Sequence, residues 1–373
     1  MVGTSRVIAP DDIQAIRADF PYLDECVYLN TAAAGLSWNG EGRAAALFYD
    51  KAKQRGMNGM SIWRETGARA RARLSDLLQV HDDEIRFVSS TTEGLNLAIG
   101  AVEWRPGDEV VFAKDEFPSV VLACEAAGKA GARLRPVDVK MESDRESALL
   151  AALTPATRVL AVSHVHWVTG TRVDLRRMSA ACHHALGTML FVDGIQAIGA
   201  VPTDLGETDV YCASVFKWLL SGFGLAVLVV RERVQADLAP RIRGYNNPPP
   251  STDLAYSHVN YPGLYALAAS LEYLESRIGW ETVYRRVALL ARELSDGLRE
   301  RGYVVATPAD ACAGIVSCRV PDPSAVKEWL AKNGVFVEAR EGLLRVSPHF
   351  YNTSDDLRSF FDALVKIPRQ TAS

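Results

Sequence analysis

Lysine is scarce in this 373-residue chain, nine against 32 arginines, so each amine can be asked what it would do. Eight lie in polar or loop-like surroundings. Lys217 lies in A-S-V-F-K-W-L-L-S-G-F-G, directly after an apolar strand and before a glycine-bearing turn. Phe216 and Trp218 on either side partly desolvate the amine, which lowers its pKa and favours the neutral form that makes a Schiff base. Taken alone, the pattern also describes a lysine snorkelling at a strand end. Asp193 narrows the choice. It closes an apolar run in F-V-D-G-I-Q-A-I-G, at the strand edge where open α/β sheets place ligands. Alone, it also reads as a turn aspartate with a capping role.

A carboxylate at that edge pairs with a pyridine nitrogen and keeps it protonated, and Gln196, three residues on, reaches the neighbouring phenolic oxygen. The third element is Ser89-Ser90-Thr91-Thr92-Glu93-Gly94, between a strand and a helix. Hydroxyls and free backbone N–H groups at a helix start suit a phosphate, although S/T-x-x-E is also a plain capping box. A phosphate site, a carboxylate and a lysine, in that order, describe a site for pyridoxal 5′-phosphate.

The elements that must position these residues are α/β in pattern. Strand candidates fall at 85–88, 109–113, 133–137, 158–163, 189–192, 210–213 and 226–230, several of them apolar on both faces. Helical stretches such as 92–102 and 175–186 lie between them, which argues a parallel sheet with right-handed crossovers. The stretch R-G-Y-N-N-P-P-P-S over 243–251 is a loop. One long helix is expected over 265–301, then strands at 315–320, 335–339 and 343–346 with helices at 324–333 and 354–364. The division is an N-terminal segment (1–28) packed on the small domain, a large domain (29–262), and a connecting helix with a smaller α+β domain (263–373).

Bulk properties exclude other classes. A net charge near −4 and a pI near 6.0 give no footprint for nucleic acid. No run of 18 apolar residues predicts a membrane span, and residues 1–19 lack the apolar core of a signal peptide, so a cytoplasmic protein is expected. The six cysteines form no C-x-x-C pair and read as reduced, mostly buried thiols. No metal site is expected.

The order S-T-T-E-G-L-N, S-H-V-H-W-V-T-G-T, F-V-D-G-I-Q-A-I-G, S-V-F-K-W-L-L-S-G and L-R-V-S-P-H-F-Y-N-T resembles the class V aminotransferase family of fold-type I pyridoxal-phosphate enzymes. The resemblance begins at Y-L-N-T-A-A (residues 28–33). It implies a large domain on a mostly parallel seven-stranded sheet and a smaller α+β C-terminal domain. Lys217 would carry the cofactor, Asp193 would pair with its ring nitrogen and Gln196 would touch its phenolic oxygen. Thr91, Thr92 and Ser214 would hold the phosphate, and Phe117 would stack on the ring. His258 or Asn260, in Y-S-H-V-N-Y-P-G, would reach the phosphate of a partner subunit, which implies a homodimer with shared sites. Arg345 would fork onto the α-carboxylate of an amino-acid substrate, with Asn30, Trp167 and Tyr245 nearby. His164 reads as structural. His166 is a candidate acid/base group, with a satisfied polar contact as the other reading.

Departures from the family pattern set the expected reaction. Cysteine desulfurases carry a cysteine on a loop before the arginine, and here V-F-V-E-A-R-E-G-L-L-R has none. Their histidines at the stacking position and before the lysine are Phe117 and Phe216 here. This reading excludes persulfide-forming desulfurase chemistry. It favours a C–S lyase acting on a cysteine S-conjugate in a natural-product or thiol pathway. Decarboxylating oxidative deamination of such a conjugate, epimerisation and transamination are the alternatives, and a non-catalytic binding protein of the same fold is a remote one.

Overall fold

Apolar runs without a polar face need helices on both sides of the sheet they form. The computed structural model describes residues 10–139, 144–309 and 313–367. Its main sheet has seven strands: Ile85–Val88 (β1), Glu109–Ala113 (β2), Arg133–Val137 (β3), Thr157–Ser163 (β4), Met189–Asp193 (β5), Val210–Ser214 (β6) and Ala226–Val230 (β7). Their order is β1-β7-β6-β5-β4-β2-β3. The pairs from β6 out to β3 are parallel, and β7 runs antiparallel to both of its neighbours. Relative to the sequence reading, β5 and β6 each extend by one residue. Asp193 and Ser214 are thereby the last residues of their strands, which fixes where their side chains leave the sheet.

The alternation of side chains makes two cores. Leu160, Val162, Leu190, Val192, Tyr211 and Ala213 pack on one face. Val159, Ala161, Phe191, Val210, Cys212 and Leu228 pack on the other. Helices Thr91–Ala101 (α1), Pro118–Lys129 (α2), Arg145–Ala151 (α3) and Leu175–Leu186 (α4) lie between strands. The long helix expected over 265–301 is two helices, Tyr261–Glu272 (α5) and Trp280–Glu300 (α6), joined through a π-turn and Gly279 at φ +83°. The apolar period runs on through the bend, so periodicity alone does not register it.

In the small domain, Val316–Cys318 (β8), Glu338–Arg340 (β9) and Leu343–Val346 (β10) form an antiparallel sheet in the order β9-β10-β8. The strand expected over 335–339 is split. Val335–Phe336 pairs in parallel with Val27–Tyr28, and residues 338–340 enter a hairpin with β10. Glu341 and Gly342 close that hairpin at φ +47° and +71°, the pattern of a tight two-residue turn. Val316, Cys318, Leu344 and Val346 face the small-domain core with Leu357 and Phe360. Helices Pro323–Lys332 (α7) and Ser354–Val365 (α8) cover this side. The opposite face carries Ser317, Glu338, Arg340 and Arg345.

Five cysteines are free thiols, with Cys26 half-buried and Cys124, Cys182, Cys212 and Cys318 buried; Cys312 lies outside the described residues. No described helix is long and apolar enough to cross a membrane.

Candidate active site

The ends of β5 and β6 and the start of α1 meet at the carboxyl edge of the sheet. There they line a cavity of about 150 Å³ with Thr91, Thr92, Phe117, Asp193, Ser214 and Lys217. A wider groove of about 1030 Å³, between residues 172–177 and 304–307, contains neither Asp193 nor Lys217. Size therefore does not mark the site; its chemistry does.

Lys217 is 8% exposed. Burial pushes its amine well below the ordinary lysine range, and the positive charge of Arg345 adds to this, while Asp193 opposes it. The lysine backbone is held tightly. The Gly35 N–H donates to the Phe216 carbonyl at 3.0 Å, and a Cβ on Gly35 would lie 2.1 Å from the Lys217 carbonyl oxygen. Three residues on, Leu220 sits at φ +52°, a left-handed conformation that costs a non-glycine residue about 1–2 kcal/mol. Ser270 fixes that turn by donating to the Leu220 carbonyl at 2.8 Å, and Trp38 Nε1 in turn donates to Ser270.

Asp193 is equally buried, and its Oδ1 accepts the Ile195 N–H at 3.0 Å. Burial raises its pKa, with the Ile195 bond and Lys217 pulling the other way. Neither Asp193 nor Lys217 makes an ion pair with any described residue. Gln196 is oriented by groups that have no choice. The Trp218 indole N–H donates to Oε1 at 3.0 Å, and Nε2 donates to the Ala32 carbonyl at 3.0 Å. The second amide N–H is left for the cavity that Gln196 lines.

At the other end, the Thr91 N–H donates to Ser214 Oγ at 2.8 Å, and the Ser214 N–H returns to Thr91 Oγ1 at 2.8 Å. Thr92 Oγ1 and Ser119 Oγ lie 2.7 Å apart. Ser90 caps the helix by accepting the Glu93 N–H, so the capping reading of this motif also holds. The result is a cup of hydroxyls on a helix N-terminus, which suits a phosphate. Phe117 and Trp167 meet edge-to-face at 5.3 Å and both line the cavity.

Arg345 approaches from the small domain. Its Nη1 donates to the Trp167 carbonyl at 2.8 Å, its Nε has no partner, and it makes no ion pair among the described residues. Burial lowers its pKa to about 10. The Oδ1 of Asn30 is likewise buried without a partner. A buried cation and an orphaned amide oxygen are what an incoming anion and its amine would satisfy.

Other expected site residues lie elsewhere. Along 163–167 the chain alternates, so Ser163, Val165 and Trp167 line the cavity and His166 does not. His166 accepts the Thr169 N–H at Nδ1 (3.2 Å), which leaves Nε2 to donate to the Asp115 carbonyl at 3.0 Å. Both ring nitrogens are thus engaged, and burial, with Arg145, lowers the pKa. The expectation of acid/base catalysis by His166 is corrected to a structural contact. Tyr245 is 62% exposed, with its hydroxyl near Ser257 Oγ and accepting the His258 N–H. Asn260 caps α5 through Gly263 and donates to the Phe223 carbonyl. Tyr245, His258 and Asn260 are therefore outside this chain's own cavity.

Sequence reasoning missed Ser119, Ser163 and Gly35, together with a buried ion cluster. Arg145 bonds both oxygens of Asp115 and reaches Glu116 at 2.7 Å, and Ser163 bonds Glu116 in turn. This cluster clamps the turn that presents Phe117. Period-two alternation from Ser163 was the available signal for its share; nothing local marks Arg145.

A buried amine, an unpaired buried carboxylate, an oriented amide and a hydroxyl cup fit pyridoxal phosphate at every point. Fold and site together define a fold-type I pyridoxal-phosphate enzyme. The family model for class-V aminotransferases matches residues 43–360, and the chain belongs to that family. It is 26% identical to an uncharacterized aminotransferase, YcbU, of Bacillus subtilis, over 92% of this chain and 95% of that protein. It is 24% identical to a probable cysteine desulfurase of Methanothermobacter thermautotrophicus, over 94% and 97%. Among solved structures, the cystine C–S lyase C-DES, in complex with cysteine persulfide, superposes with a TM-score of 0.88 at 21% identity, over 93% and 99% of the two chains. A cysteine desulfurase of Thermococcus onnurineus does so with 0.86 at 23%, over 97% and 98%.

These relatives overturn the exclusion of desulfurase chemistry drawn from the sequence. That exclusion rested on the absent cysteine in the hairpin and on Phe117 and Phe216 standing where desulfurases carry histidines. Lys217, Asp193 and Arg345 are all buried, and none makes an ion pair among the described residues.

Proposed function

We propose that this enzyme breaks the carbon–sulfur bond of a cysteine-type α-amino acid. The amino-acid part rests on one observation: Arg345 is a buried guanidinium with no ion pair among the described residues, bonded to the backbone of the cavity-lining Trp167 and close enough to Lys217 for its charge to act on that amine. The sulfur part rests on the relatives named as desulfurases and on the C–S lyase whose fold this chain shares.

Asp193 would hold the ring nitrogen of pyridoxal phosphate, Thr91, Thr92 and Ser214 its phosphate, Gln196 its phenolic oxygen and Lys217 its aldehyde carbon. When bound, the cofactor supplies an electron sink for the bond broken at the α-carbon. Arg345 binds the α-carboxylate and sets which bond at that carbon faces the sink. The Lys217 amine, whose charged form burial and the charge of Arg345 disfavour, takes the α-proton. Phe117 and Trp167 keep bulk water from the reacting face. The segment with Tyr245 and His258, next to Phe223 at 69% exposure, is a surface for a second copy of the chain; sedimentation of the purified protein tests that dimer.

The holoenzyme is incubated with cysteine and with cystine, and the carbon products are identified. Alanine with released sulfur marks desulfurisation; pyruvate and ammonia, with hydrogen sulfide from cysteine or cysteine persulfide from cystine, mark elimination. A keto acid formed with sulfur still attached marks transamination and refutes the proposal. Borohydride must bleach the yellow colour and leave the reduced cofactor covalently fixed on Lys217; cofactor fixed on another residue overturns the site.

A further inference from the structure

The hairpin face that meets the large domain beside Trp167 carries more positive charge than one α-carboxylate requires. Glu338 and Arg345 are direct cross-strand partners, and Arg340, two residues along β9, shares their face. That face meets the large domain: Ser317 Oγ donates to the Val168 carbonyl and Arg345 donates to the Trp167 carbonyl. Glu338 is the carboxylate on this face, and it is already engaged. Its Oε1 accepts from Lys327 and from the Ala339 N–H. Among the described residues the Arg340 side chain makes no hydrogen bond, and its ion pair to Glu338 Oε2 is long, at 3.5 Å. Its side chain is 45% exposed, and the tight turn at Glu341–Gly342 fixes the backbone that carries it. Glu341 makes no ion pair with either arginine. The field of Arg340 reaches inward, since it contributes, after burial, to lowering both Arg345 and Lys217.

We infer that Arg340 is a specificity residue that recognises a second oxyanion, a carboxylate or a sulfur oxyanion, at the end of the substrate side chain. Arg345 takes the α-carboxylate and Arg340 the distal group, so the preferred substrate is an amino acid of net negative charge. This rests on the reading of the site as an amino-acid site with Arg345 as the carboxylate anchor.

The test uses holoenzyme and ligands that lack an α-proton and so bind without turnover. These are isovaline, α-methylaspartate and α-methylcysteate, followed by the absorbance change of the bound cofactor. Wild type is expected to bind at least one of the two acidic ligands about tenfold or more tighter than isovaline, the worth of one charge-assisted contact. The tighter acidic ligand identifies the oxyanion as carboxylate or sulfonate. Arg340→Gln should bring that ligand to within about threefold of isovaline, and Arg340→Lys should keep an intermediate preference. Equal binding of all three by wild type, or a preference that survives in Arg340→Gln, overturns the inference while isovaline binding leaves the amino-acid site standing. If none of the three binds, the amino-acid reading falls and this one with it.

Discussion

Replacing Arg345 with methionine should make the protein more stable and a far worse binder, and the two effects have separate origins. Burial holds the guanidinium at a pKa of about 10, which corresponds to about 3 kcal/mol against its charged form. Against this stand the bond from Nη1 to the Trp167 carbonyl, worth about 1 kcal/mol net, and packing that a methionine of similar length largely keeps. The balance favours the variant by roughly 1–2 kcal/mol in the absence of substrate. A urea midpoint that rises at unchanged slope would register it. Binding moves the other way. A two-point guanidinium–carboxylate contact is worth about 3–4 kcal/mol, so the affinity for isovaline should fall by about 10²–10³-fold. A simple amine without a carboxylate should lose nothing. If the midpoint falls and isovaline binds as before, Arg345 is a brace between the hairpin and Trp167, and the anchor assignment is wrong.

Asp193→Asn removes the charge that holds a ring nitrogen protonated but leaves the hydroxyl cup intact, so cofactor should stay bound while turnover falls by about 10²-fold or more; loss of cofactor instead would mean Asp193 mainly retains it. Arg145→Met strands the buried Glu116 and should cost about 3–5 kcal/mol in a urea titration, with Glu116→Gln in the same chain recovering much of it; additive losses would show that the two do not act as a unit. Burial holds His164 and His349 at about 3, below the ordinary histidine value. Below about pH 6.5 the unfolded chain takes up protons these rings refuse, so stability falls with pH down to about 3, at about 1.4 kcal/mol per unit for each ring. Unfolding midpoints between about pH 6.5 and pH 5 measure that slope, and a flat profile would contradict it.

The sheet was legible because its central strands, such as Met189–Asp193, Val210–Ser214 and Ala226–Val230, are apolar runs buried on both faces, whereas the outer Arg133–Val137 carries Arg133 and Arg135 and is largely exposed. Lys217 and Asp193 were legible because each stands alone at the end of such a run. His166 misled because residue type was weighed before parity; it lies between Val165 and Trp167, which both line the cavity, and so points the other way. Gly35 and Arg145 were invisible for a different reason. Gly35 matters through a 2.1 Å approach to a residue 182 positions away. Arg145 matters through carboxylates 29 and 30 positions away. No local pattern encodes either. The desulfurase exclusion failed because it took a missing cysteine and two histidines replaced by Phe117 and Phe216 as evidence against a reaction that relatives along most of the chain are named for.

What separates the site from the rest of the interior is how its charges are left. Elsewhere, several buried charges are ion-paired: Arg145 with Asp115 and Glu116, Glu84 with Arg231, Asp209 with Arg233, and Asp356 with Arg17. Such pairs offset their own desolvation and hold elements in register. Lys217, Asp193 and Arg345 come from different elements, are buried to a similar degree, and have no ion pair among the described residues. Evolution for stability alone would pair or replace them. Each unpaired charge lowers the stability of the chain by an amount that the matching group of a ligand returns on binding, so stability sacrificed in the free protein reappears as affinity and orientation. By that reasoning the cofactor, which meets Asp193 and Lys217 together, should raise the unfolding midpoint more than any ligand that meets Arg345 alone.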